Sequence, residues 1–380
     1  MSAVGNGGAG KKDSGPAVIL SVPGAAALAR IARASGVRAH PDMLMNADIV
    51  LELSGEAIRA RLCTFEDASG RELCLRPDLT TAIAQMVASG ELPVARYHEA
   101  GPVFRLPPAG SDDAVEHLQI GFEWFGNGRS PAEDAEALSV AMEAAQAGGL
   151  RLGRLRFGDV FLFHAMLNAL PLSDLWRDRL RRGFFRVKGP RELLAYAGER
   201  SAGARGAAVE IGLLSSTDAE QAVRDELASL GVEPVGRSLS DIASRLREKA
   251  ADTVPDPASA DAILSYLSLR ASVADSPSVL RSFASRSGLN MTEAIAAFEA
   301  RLEMIARFNP PFWSDAEFGA EVGRRFEYYD GFVFELMAIH TPDRPVVSGG
   351  RYDGLIARLS GARQSASAIG AAVRADRLLA

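Results

Sequence analysis

The chain has 380 residues, 47% of them hydrophobic, enough to fill one sizeable core or two. Its net charge of −6 lacks the basic excess that phosphate-backbone binding draws on, which argues against nucleic acid as a main partner. No run approaches the ~20 uninterrupted apolar residues of a membrane span, no segment has the build of a secretory leader, and the cytoplasm is the expected location.

Residues 1–16, rich in Gly, Ser and Ala, read as a disordered tail. Leu28, Ile31 and Ala32 stand at i, i+3 and i+4 and predict an amphipathic helix over 24–35 that Gly36 stops. Between 49 and 75 short apolar runs alternate with turn signals such as Asp67-Ala68-Ser69-Gly70, which predicts an antiparallel hairpin in a strand-dominated stretch. Cys63 and Cys74 fall there without a CxxC spacing or a nearby His, and read as buried thiols. A helix over 80–87 and an extended segment over 94–106 follow. The clearest strand is 118–125, where Leu118, Ile120, Phe122 and Trp124 point one way and Gln119, Gly121, Glu123 and Phe125 the other.

Ser130-Pro131-Ala132-Glu133 fits a capping box with Pro at the first helical position, opening a helix that Gly148 and Gly149 end. From 164 onward the period is helical, through Leu167, Leu170 and Leu172, then Leu193, Leu194 and Tyr196, then 262–269 and 294–308, with loops at 215–218 and 253–257. Strand patterning returns at 328–339 and 346–348, the stretch 366–372 is ambiguous, and 374–379 starts a helix. The expected division is a tail (1–16), the first part of a core (17–163), a mainly helical insertion (164–315) and the last part of the core (316–380).

Chemistry concentrates on the polar face of 118–125. Gly121, between Gln119 and Glu123, would leave a small concavity with polar walls. The other face is apolar and should pack on helices, so Glu123 must find a partner or hold its proton. Two readings of it stand: an acid in a pocket, or a core carboxylate paired to Arg105 or Arg324. Those arginines have matching alternatives, an anion site made by two converging guanidinium groups, or pairing with Glu123 or Glu327. Five scattered histidines suggest no metal site, and no cofactor is expected.

Two cassettes, LRPDLT at 75–80 leading to GPVFR at 101–105, and GGRYDGL at 349–355, resemble the catalytic core of histidyl-tRNA synthetases. The resemblance implies a class II synthetase-like α/β core of α+β type, a mainly antiparallel sheet flanked by helices and interrupted by the helical insertion. In that family pattern the positions of Asp78, Thr80 and Gln119 hold the amino group of histidine, and those of Glu123 and Tyr329 face the imidazole. Tyr352 would lie at the pocket's edge, with Gly349 and Gly350 permitting close backbone approach. Arg105 matches the arginine that grips the α-phosphate of the adenylate, Arg324 matches the arginine of an RGLDYY segment serving the same reaction, and Arg377 is retained from motif 3.

The departures from that pattern gather on the nucleotide side. Asp78 is one methylene shorter than the synthetase Glu. Pro107 stands where a Glu should read adenine, the loop that follows carries Asp112, Asp113 and Glu116 without a cation, and Arg374 replaces a glycine. The sequence ends soon after Arg377, where a synthetase continues into an anticodon-binding domain, so none is expected here. Together these features resemble the regulatory subunits of ATP phosphoribosyltransferase, which act in the first step of histidine biosynthesis. That resemblance implies a non-catalytic chain that dimerises within a hetero-oligomer, assembles with and activates a short-form catalytic subunit, and mediates feedback inhibition by histidine. Arg105 and Arg377 would then be an anion-binding relic. The rivals are an active class II enzyme forming histidyl-adenylate or histidyl-tRNA, and an amino-acid sensor acting on another partner.

Overall fold

The computed structural model describes residues 19–378, apart from 55, 109, 112, 127, 188, 211–212, 214–217, 234–237, 253 and 324–326. The tail expected over 1–16, Arg324, Asp112 and most of the loop expected at 215–218 therefore lie outside the described residues. The first part runs α1 (Val22–Ser35), β1 (Val37–Arg38), β2 (Leu44–Asn46), α2 (Ala47–Ser54), β3 (Thr64–Glu66), β4 (Glu72–Leu75), α3 (Leu79–Ser89), β5 (Arg96–Phe104), β6 (Glu116–Gly126), α4 (Pro131–Ala147) and β7 (Leu152–Asp159). Helices then dominate: α5 (Val160–Ala169), α6 (Asp174–Arg186), α7 (Pro190–Glu210), α8 (Ala219–Ser229), α9 (Leu239–Ala251) and α10 (Pro257–Leu267), then the short β8 (Arg270–Ser272), α11 (Ser276–Arg286) and α12 (Thr292–Phe308). The last part holds β9 (Glu317–Gly319), β10 (Phe332–Ala338), β11 (Thr341–Arg351), α13 (Leu355–Leu359) and β12 (Ser367–Arg374).

Nine strands form one sheet in the order β1-β5-β6-β12-β11-β10-β7-β9-β8, antiparallel except for the β1–β5 and β7–β9 pairs. A small sheet, β2-β4-β3, stands apart. The expected architecture, a mainly antiparallel sheet flanked by helices, is therefore present. Among its interior strands is β6, whose Ile120, Phe122 and Trp124 are fully buried, with the Trp124 indole donating to Ser35 Oγ of α1 at 2.9 Å. The helix expected over 24–35 is α1, ended by Gly36 at φ +75°. The ambiguous 366–372 stretch is β12, an interior strand between β6 and β11. Among the described residues, no helix is long and apolar enough to cross a membrane.

The strand-dominated reading of 49–75 is only half right. The hairpin exists as β3–β4, turned by Asp67, whose carboxylate accepts from the Ser69 and Arg71 amides at 2.8 and 3.0 Å. Residues 47–54 are instead helical, because Ala47, Val50 and Leu51 recur at i, i+3 and i+4 and are buried together, and Asn46 Oδ1 caps the Asp48 amide at 2.8 Å. Cys74 is buried, its thiol pushed up to about 11 by desolvation, whereas Cys63 is only half-buried. The capping box is also half realised. Ser130 Oγ accepts from the Glu133 amide at 3.4 Å, but the Glu133 carboxylate goes to Arg351 at 2.9 Å.

Packing divides the helical stretch. Helices α5, α6 and α10–α12 place Leu162, Phe163, Trp176, Ile263, Phe283 and Phe298 in the main core. The end of α7 with α8 and α9 builds a separate small core around Ala208, Leu213, Val223, Ala243 and Ala250. A buried ionic cluster ties α4 to both α12 and β11. Asp134 accepts from Arg301 Nε and Arg351 Nε, each at 2.6 Å, Arg301 also reaches Asp159, and Arg351 reaches Asp353 at 3.0 Å.

Candidate ligand-binding site

Asp78, extended at φ −155° and ψ 166°, caps α3 by accepting the Thr81 amide on Oδ1 at 2.7 Å. That cap fixes Thr80 in the first turn of α3, facing β6. The Thr80 hydroxyl donates to Glu123 Oε1 and the Tyr352 hydroxyl donates to Glu123 Oε2. Gly370 on β12 pairs directly with Glu123, and a methyl group there would overlap the carboxylate. Glu123 is thus 2% exposed and lies just beneath the floor of a cavity of about 320 Å³. Along β6 and β12 this cavity runs from Gly370 and Tyr352 to His117 and Arg374, with Asp78, Thr80, Gln119, Tyr329, Arg105 and Arg377 in its walls.

Every described residue expected at the site therefore converges on one cavity, although Glu123 reaches it only through the Thr80 and Tyr352 hydroxyls. Arg324 lies outside the described residues. The pairings expected for Glu123 are not found with Arg105. Arg105 Nε donates to the Pro77 carbonyl at 2.7 Å and Nη2 lies 3.5 Å from Asp78 Oδ2, because it leaves the end of β5 across the Pro77-Asp78 turn rather than beneath the sheet. Gly121 does not open a concavity either. A methyl there would stand 2.6 Å from the Ala371 carbonyl, so this glycine admits the backbone of β12, and the space for the carboxylate comes from Gly370. Gly350 likewise serves strand packing, its would-be methyl 2.7 Å from the Phe332 carbonyl.

Burial raises the Glu123 pKa from 4.5 to about 8, against the lowering effect of the Thr80 and Tyr352 bonds and with Asp78 adding to the rise. Burial thus favours the protonated carboxyl, whose proton one of the two hydroxyls would turn to accept. The linked effect on stability has a definite sign: between 4.5 and about 8 the unfolded chain has released this proton while the folded one keeps it, so stability falls as pH rises through that window. The thermal midpoint of Glu123→Gln, measured against the unaltered chain, should therefore gain steadily across the window and hold its lead above it. A gap that ignores pH would contradict the assignment.

The other end of the cavity is cationic but internally satisfied. Arg374 holds both oxygens of Asp376 at 2.9 and 2.7 Å. Arg377 donates to the Pro345 carbonyl at 2.8 Å and to Asp113 at 3.3 Å, and Asp113 also accepts from Arg344 at 2.9 Å. His117 is held neutral, its pKa pushed down to about 3 by burial and by Arg374 and Arg105. His117 escaped the sequence reading, yet it extends the alternation of Gln119 by one step on the same face. Phe185 and Arg186, which also line the cavity, come from the C-terminal end of α6 and carry no comparable signal. Glu327, considered above as a partner for Arg105 or Arg324, pairs with Arg186 at 3.3 Å.

A family model described as histidyl-tRNA synthetase matches residues 25–261 and 222–378. An ATP phosphoribosyltransferase regulatory subunit of Brucella anthropi is 32% identical over 352 residues, covering 88% of this chain and 90% of that one. Its counterpart from Rhizobium meliloti is 32% identical over 365 residues, covering 92% and 94%. Among solved structures, an ATP phosphoribosyltransferase regulatory subunit/histidyl-tRNA synthetase from Bacillus halodurans matches with a TM-score of 0.62 at 20% identity, over 98% of this chain and 83% of that one. A histidyl-tRNA synthetase from Nostoc sp. PCC 7120 matches with a TM-score of 0.60 at 14% identity, over 97% and 74%.

Proposed function

The chain belongs to the ATP phosphoribosyltransferase regulatory subunits, a non-catalytic family built on the histidyl-tRNA synthetase fold, and from that premise we propose that its cavity is where histidine exerts feedback on the complex. The partner is a short-form catalytic subunit that transfers phosphoribosyl to ATP in the cytoplasm. This chain dimerises within the complex, activates that subunit, and lowers its activity again when histidine is bound.

The observation that carries this reading is the asymmetry of the cavity. Its amino-acid end keeps a carboxylate oxygen with no hydrogen-bond donor on it, because Asp78 spends Oδ1 on the α3 cap and meets Arg105 through Oδ2 only as a 3.5 Å ion pair. An ammonium group meets that oxygen together with Thr80 and Gln119, while an imidazole, able to donate and accept, meets the Tyr329 phenol and the hydroxyls above Glu123. The nucleotide end offers arginines whose charges the chain's own aspartates already answer. For histidine to inhibit, it must bind the less active state of the complex more tightly than the active one.

Mixing the chain with a short-form catalytic subunit and following turnover with and without histidine tests the whole reading. Turnover should rise on mixing and fall with histidine, and Glu123→Ala should keep the rise but lose most of the fall. Absence of activation would refute the partnership, whereas undiminished inhibition in Glu123→Ala would refute the pocket. Pyrophosphate exchange dependent on ATP and histidine should be absent.

A further inference from the structure

Resting on the reading that histidine occupies this cavity, we infer that Arg186, carried by the helical segment rather than by the sheet, holds the carboxylate of the bound amino acid and couples occupancy of the cavity to the α6–α7 layer. A free amino acid brings an anion as well as an ammonium, and a carboxylate entering a half-buried site needs a guanidinium partner. Among the described arginines of the cavity wall, Arg105 is engaged by Asp78 and the Pro77 carbonyl, Arg374 by both oxygens of Asp376, and Arg377 by Asp113 and the Pro345 carbonyl. Arg61 donates Nε to the Leu106 carbonyl at the exposed rim.

Arg186 differs in the quality of its bonds. Nε and Nη2 share a single oxygen of Glu327 at 3.4 and 3.3 Å, longer than the ~2.8 Å of a well-formed charge-assisted bond. Its Nη1 donates to the Tyr196 hydroxyl of α7 at 3.1 Å. The guanidinium is thus held in place over the cavity, beside Phe185, with a weak partner that a ligand carboxylate can displace. The helices behind it are closely fitted. A methyl on Gly183 of α6 would lie 2.8 Å from the Tyr196 ring, so a change of partner at Arg186 is felt directly by α7. In this way the segment between β7 and β9 closes the site and reports its state.

Calorimetric titration of the full chain with histidine and with histidine amide, which lacks the anion, separates a contact from a structural role. The unaltered chain should prefer histidine to the amide. Arg186→Gln should bind histidine about tenfold to a hundredfold more weakly and should no longer distinguish the two ligands. Glu327→Gln, which removes the competing carboxylate, should bind histidine more tightly than the unaltered chain does. Equal histidine affinity in Arg186→Gln, an equal loss for both ligands, or weakened binding in Glu327→Gln would overturn this inference alone. Failure of the unaltered chain to bind histidine would overturn it together with the pocket reading on which it rests.

Discussion

A chain carrying Gly370→Ala should still activate its catalytic partner but should need about a hundredfold more histidine to inhibit it. Position 370 faces Glu123 in the β6–β12 register, and an added methyl would overlap the carboxylate while standing 2.7 Å from the Phe122 carbonyl. The strand cannot retreat, since β12 is paired on both sides. Glu123 must then swing away, and the Thr80 and Tyr352 hydroxyls of the cavity wall lose the acceptor that orients them. Overpacking of this kind costs about 1–3 kcal/mol, so the variant should fold with a lowered denaturation midpoint. Histidine titration of the assembled complex checks the result. A Gly370→Ala complex as sensitive as the unaltered one would mean that the ligand never senses the floor of the cavity.

The largest loss of stability is expected from Asp134→Ala, at about 3–5 kcal/mol. The Asp134 carboxylate receives Arg301 on one oxygen and Arg351 on the other, each at 2.6 Å, in surroundings where all three residues are buried. Removing it leaves two guanidinium groups facing each other, with Asp159 and the Glu133–Asp353 pair as incomplete compensation. Breaking such a cluster costs far more than the cluster contributes relative to an apolar core, because the residual charges stay desolvated. A urea titration followed by circular dichroism should show the midpoint fall with an unchanged slope. Because Arg351 sits beside Tyr352, the same variant should also weaken histidine binding, which a direct titration would detect.

The legible features were those fixed by a few neighbouring residues. Alternation over 118–125 placed β6 and its buried face, and Ser130 announced the start of α4 through a cap that the structure contains, whereas the cap that Asp78 gives α3 was not read. That Asp78, Thr80, Gln119 and Tyr352 share one cavity was legible because LRPDLT, Gln119 and GGRYDGL are short and local. Misreadings arose where the deciding neighbour is distant in the chain. The partners of Glu123 lie 43 and 229 positions away, and whether Gly121 or Gly370 leaves room depends on how β12 lies against β6. Residues 47–54 failed for another reason: a run this short satisfies both a strand and a helix pattern, and burial against the small sheet chose the helix. Arg186 had no herald at all, since nothing local marks the last residue of α6 as part of a cavity wall.

The clasp of Asp113 on Arg377 and Arg344 has a bearing on how such a molecule could regain adenylation. A polyphosphate approaching Arg377 would have to displace a carboxylate tethered to the same polypeptide, which competes at an effective concentration on the order of millimolar. A glutamate placed at position 107 to read adenine would therefore still leave the phosphates competing with Asp113. The way back begins with removing the aspartate.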